Sequence, residues 1–82
     1  MKKSLSANVN YDAVVLYPIV ELMLENKTKN IKLNDCALLV KETSINLINM
    51  LGFDCNSRES LKITEEIVNY YIYPRYGYRI SF

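Results

Sequence analysis

Side chains able to do chemistry are few in this sequence, and most of them crowd into one stretch. Five of the seven tyrosines, Tyr70, Tyr71, Tyr73, Tyr76 and Tyr78, fall within nine residues, with Arg75 and Arg79 among them. A tyrosine ring offers a large amphipathic surface on few rotatable bonds, and with arginine it is enriched where proteins bind one another. A core of this size can absorb two or three such rings. The rest are expected on the outside, so Tyr70, Tyr73, Arg75, Tyr76, Tyr78 and Arg79 are the candidate protein-binding residues.

Catalysis has little to work with. There is no histidine, which removes the commonest general base, the usual partner of a serine or cysteine nucleophile and the commonest nitrogen ligand for transition metals. Cys36 and Cys55 stand nineteen positions apart with no second pair, so no zinc site is expected. Cys55 follows Asp54, whose charge opposes a thiolate nucleophile. Glu65 and Glu66 diverge by about 100° on a helix, and Asp35 and Glu42 lie about two turns apart, so neither pair shares a site. Only Gly52 and Gly77 are glycines, too few for a phosphate-binding loop. The residues therefore predict a non-enzyme with no cofactor and no metal.

Composition sets the frame for this. Half of the 82 residues are hydrophobic and 23% are charged, an ordinary balance for one globular domain. So small a domain has a limited interior, and part of that apolar share must reach the surface, where a partner or a second copy would cover it. A homodimer or other homo-oligomer is accordingly expected. Net charge is +1 with no run of basic residues, which gives little long-range attraction to nucleic acid or to an anionic membrane. The first residues begin like a signal peptide, but Asn8, Asn10 and Asp12 interrupt the apolar region. The longest apolar run, 13–20, is too short to span a bilayer. These features predict a cytoplasmic protein with no membrane partner and reduced cysteines. Abundant Asn, Lys, Ile and Tyr fit an AT-rich bacterial or phage source.

The elements that must position the tyrosines read as α+β, predominantly helical, with three helices and a short C-terminal strand or β-hairpin. No repeat or linker divides the chain, so 1–82 is one domain, with 1–9 expected to be loosely ordered. Asn10 or Asp12 caps a first helix running to about Asn26, whose inner face is Ala13, Leu16, Val20 and Met23 or Leu24. Pro18 either kinks this helix or starts it, and the kinked form fits the spacing better. Residues 30–33 suit a short strand, and Asn34 or Asp35 then caps a second helix. Its stripe is Ala37, Val40, Leu47, Ile48 and Leu51, with Cys36, Leu39 and Met50 beside it. Thr43 or Ser44 offers a break that would divide it in two. Gly52 suits the stop. Ser57 caps a third helix facing inward with Leu61, Thr64, Ile67, Val68 and Tyr71, ended by Pro74. Tyr78, Ile80 and Phe82 then alternate with Arg79 and Ser81 as a half-buried strand, and 68–73 is open to either a helix or the first strand of a hairpin.

Two function classes survive. The favoured one is a small protein-interaction module, an oligomer, adaptor or inhibitor, which if phage-encoded would target a host protein. Three buried Tyr or Arg anchors at about 2 kcal/mol each give roughly 6 kcal/mol on the truncation scale. Micromolar binding needs about 8 kcal/mol, so apolar surface outside the tail must contribute. The alternative is a winged helix-turn-helix DNA-binding regulator, suggested by the order helix, short strand, two helices, hairpin. Its turn would be Lys41-Glu42-Thr43, and its recognition helix, 44–51, has no Lys or Arg to reach phosphates or guanine edges. Asn46 and Asn49 would read adenine, with Arg75 and Arg79 in the wing. Nucleic acid is therefore the less favoured partner.

Overall fold

The computed structural model describes residues 12–82, and the expected looseness of 1–9 lies outside them. Three helices account for the architecture: α1, Ala13–Met23; α2, Leu33–Met50; and α3, Arg58–Tyr76. Among the described residues there is no strand, so the expected α+β class with its C-terminal strand or hairpin is wrong; every regular element among them is a helix.

Asp12 caps α1 by accepting a hydrogen bond from the Val15 amide at 3.0 Å. The helix continues through Pro18, which withholds one backbone donor from the Val14 carbonyl. It stops at Met23, three residues before the expected end. Asn26 and Asn30 take left-handed backbone conformations in the connection, with φ of 69° and 58°. Asparagine tolerates this region better than other non-glycine residues, and it breaks the extended run expected at 30–33.

α2 begins at Leu33, earlier than the Asn34 or Asp35 cap predicted, and Lys32 precedes it without a side-chain cap. It is one helix, because Ser44 sends its hydroxyl to the Val40 carbonyl at 2.8 Å and leaves the backbone ladder whole. Gly52 follows the C-cap at φ 86°, as expected of a stop. Ser57 caps α3 by accepting from the Ser60 amide. Pro74 does not end this helix: it sits in the last turn, and the stop comes at Gly77, whose amide donates to the Tyr73 carbonyl at 2.8 Å with φ 68°. Residues 68–73 are therefore helical.

Tyr17 meets Tyr70 and Glu21 meets Arg75, so α1 runs in the same direction as α3 along its C-terminal half. α2 runs between turns in the opposite sense. The core is Ala13, Leu16 and Val20 from α1 with Leu24 just past its end, Cys36, Val40, Leu47 and Ile48 from α2, and Ile67, Val68, Tyr71 and Ile72 from α3. Phe53 joins them from the second connection. The expected inner positions Leu51 and Leu61 are instead on the surface, as is Met50. Ser44, Ser60 and Thr64 are fully buried, and each hydroxyl donates to a backbone carbonyl, which removes the cost of placing it there.

Replacing the fully buried Ile48 with alanine should cost about 3 kcal/mol in urea unfolding. Leu38→Ala, at a leucine 55% exposed on the polar side of α2, should change stability by no more than about 0.5 kcal/mol. Equal losses at the two positions would show that α2 packs by another face.

Candidate functional site

The C-terminal half of α3 and the segment 77–82 carry all six candidate residues, and the structure sorts them into two groups. Arg75 and Tyr76 turn toward the bundle. Arg75 donates to the Tyr71 carbonyl at 2.9 Å, lies 3.7 Å above the centre of the Tyr71 ring, and stands 3.7 Å from the Glu21 carboxylate. The ion pair is half-exposed and contributes little; the stacking and the carbonyl bond fix the guanidinium. Tyr76 sends its hydroxyl across to the Ile31 carbonyl at 2.8 Å. Arg75 thus lies against α1, and Tyr76 ties the end of α3 to the connection before α2.

Tyr70, Tyr73, Tyr78 and Arg79 turn outward. Their rings are 43%, 48% and 61% exposed, and the Arg79 guanidinium lies 4.4 Å above the Tyr73 ring. Tyr70 and Tyr73 share a face because three positions separate them on the helix. Tyr70 also meets the Tyr17 ring edge-on, with centroids 5.8 Å apart, which fixes its orientation. Among the described residues Arg79 has no ion pair, so its charge remains available to an incoming carboxylate. Tyr71 is the tyrosine that goes inside, as its helical spacing predicts, and its hydroxyl hydrogen-bonds the Thr28 hydroxyl.

The returning segment is held by a side chain that the sequence did not single out. Asn69 accepts from the Ile80 amide at 2.7 Å and donates to the Ile80 carbonyl at 2.9 Å, which is the pair of bonds a neighbouring strand would have supplied. Glu65 accepts from the Phe82 amide at 2.9 Å. The alternation expected of a strand survives in part: Ile80 packs on the core while Arg79 and Ser81 face water. Phe82 is half-exposed beneath the Lys41 ammonium, 4.6 Å from its ring centre.

A second surface feature also escaped the sequence reading. Val14, Val15, Pro18, Ile19 and Leu22 form the outer face of α1, and all are exposed. The available signal was that Glu21 is the only charged residue between 13 and 23, so both faces of that helix are apolar. Hollows also open among the described residues. One of ≈ 680 Å³ opens between the ends of α1 and α3, but Tyr71, Thr28, Glu21 and Arg75 in its wall already bond one another. Another, of ≈ 340 Å³, lies between Lys41, Arg58, Lys62 and Phe82.

Burial pushes the Cys36 thiol up, with weaker opposition from the Tyr76 hydroxyl and the Arg75 charge, so it remains a protonated core side chain. Burial also raises the Tyr17 phenol; the Arg75 hydrogen bond opposes this and the Glu21 carboxylate adds to it. Among the described residues no three His, Cys, Asp or Glu side chains converge as a metal site would need. Nor is any helix long and apolar enough to cross a membrane. No family model matches the chain, and neither a curated protein nor a solved structure shows significant similarity to it.

Asn69→Ala should release the segment 78–82. The Ile80 amide should then exchange with solvent at least about tenfold faster, while the α3 core amides slow or quicken only with global stability. Unchanged protection at Ile80 would show that the clamp is dispensable. The folded state holds the Tyr17 proton more tightly than the unfolded chain does. Its contribution is complete below about pH 10 and is lost as pH climbs through the higher folded value. Wild type should therefore lose stability more steeply than Tyr17→Phe as pH rises above about 10; parallel curves would reject this assignment.

Proposed function

We propose that this chain is a non-enzymatic protein-interaction module, an adaptor or inhibitor, whose contact surface is the face formed by Tyr70, Tyr73, Tyr78 and Arg79. One observation carries the reading: Arg79 is stacked on Tyr73, with no ion pair among the described residues, amid tyrosines that are about half exposed. Tyr70 is held by its contact with Tyr17, Tyr73 by Arg79, and the backbone beneath Tyr78 by the Asn69 clamp, which limits the freedom lost on binding. A guanidinium on an aromatic platform suits a partner that presents a carboxylate beside an apolar ridge. Arg75 and Tyr76, expected at the same surface, serve here as braces that shape it. If the chain comes from a phage, a host protein is the natural target.

The winged helix-turn-helix alternative loses its geometric basis. Lys41, Glu42 and Thr43 lie inside α2 where it needs a turn, and 77–82 lies against α3 where it needs a wing.

The test is capture from a bacterial lysate on the immobilised full chain, compared with a Tyr73→Ala/Arg79→Ala variant of unchanged helicity and thermal unfolding. A retained protein should fall at least about tenfold with the variant, the effect of losing one or two anchors. Equal retention by both proteins, or none by wild type, would overturn the reading.

A further inference from the structure

We propose that the outer face of α1 is the seam of a homodimer, in which a second copy of the chain lays its own α1 antiparallel across it with Pro18 at the two-fold axis. The face is unlike the other two helix exteriors. α2 turns Asp35, Glu42, Asn46 and Asn49 outward beside the exposed Leu38 and Met50, and α3 turns Arg58, Glu59 and Lys62 outward beside Leu61, whereas α1 presents Val14, Val15, Pro18, Ile19 and Leu22 with Glu21 as its single charge. Val14 is 67% exposed and Leu22 is 72% exposed. An amphipathic surface helix carries polar residues there, and a helix that is apolar all round is normally covered on both sides.

The spacing selects a second copy as the occupant. Val14, Pro18 and Leu22 are four apart and form one ridge centred on Pro18, the pattern that interdigitates when like ridges cross at about −50°. Read in reverse about Pro18, the ridge is again apolar: Val14 meets the second copy's Leu22 and Pro18 meets Pro18, while Ile19 lies level with Tyr17 and Val15 with the Glu21 stem. Such self-complementarity is the requirement of a two-fold interface. Charge does not oppose it. Glu21 borders the face but is turned to Tyr17 and Arg75, and in the antiparallel pairing the two copies of Glu21 lie about 9 Å apart along the axis. At that crossing angle the helix ends diverge, which leaves the Val14 carbonyl within reach of water.

The area fits a weak dimer. The five side chains expose on the order of 400 Å², within the range at which the largest patch on a monomer is often functional. Tyr70 and the Glu21 stem at the rim raise this to roughly 600 Å² per copy, or about 1,200 Å² in total, the lower edge of a specific interface.

Sedimentation equilibrium of the full chain between about 5 µM and about 500 µM should show the mass rising from 9.5 kDa toward twice that value. Leu22→Glu should hold it at the monomer mass, a loss of about 100-fold or more in association, while Leu38→Glu on α2 should leave the rise intact. In a Cys55→Ser background, Pro18→Cys should cross-link on mild oxidation and Val14→Cys should not, since only position 18 lies on the axis. This second arm carries the test if Leu22→Glu fails to fold. Monomer mass for wild type at the highest concentration would show that residues 1–11 or an unrelated protein cover the face. A dimer that ignores Leu22→Glu lies elsewhere, and equal cross-linking at 14 and 18 means parallel helices. Each of these overturns the proposal.

Discussion

A mismatch of helix lengths governs this molecule. α1 has 11 residues and spans about 16 Å, while α3 has 19 and spans about 28 Å, so one short helix must close a core built by two long ones. It covers the end of the pair where α2 begins and α3 finishes. Side chains and loops must seal whatever it leaves. At the opposite end Phe53 folds in from the second connection, and the small buried side chains Ser44, Ser60 and Thr64 let α2 and α3 close on each other. Their hydroxyls bond to backbone carbonyls, so no buried polar side-chain atom among the described residues lacks a partner.

The bracing at the covered end follows from the same mismatch. A one-to-one packing of equal helices would need few cross-links, but here the end of α3 reaches out to its surroundings. Arg75 reaches α1, and the Tyr76 and Tyr71 hydroxyls reach Ile31 and Thr28 in the first connection. Aromatic residues suit this work because one ring can pack and its hydroxyl can still find a carbonyl. The tyrosine-rich stretch thus divides its labour. Tyr71 fills the core, Tyr76 ties the bundle, and Tyr70, Tyr73 and Tyr78 are left for the surface that we propose binds a partner.

Much of this was legible before any coordinates. Asp12, Ser57 and Gly52 mark helix boundaries by local chemistry, and the inner positions of α1, with those of α3 apart from Leu61, follow from helical spacing. What failed did so for tertiary reasons. Pro74 looks like a helix stop, yet in a last turn it removes a bond that costs little, and Gly77 sets the true end. Tyr78 to Phe82 has the alternation of a strand, but pairing requires a neighbour, and Asn69 eleven positions earlier supplies it from a side chain. No pattern in the sequence flags an asparagine for that role. The outer face of α1 was missed because attention to its inner stripe hid the lack of charge on the other side.

The Asn69 clamp has one more consequence. One of its two bonds is made by the carboxamide nitrogen, the atom that distinguishes asparagine from aspartate. Deamidation at this position would leave the size of the side chain almost unchanged while setting a carboxylate oxygen against the Ile80 carbonyl. Attraction would become repulsion at the root of the outward-facing tail. Chemical ageing at one part-buried amide would then loosen the segment that carries Arg79.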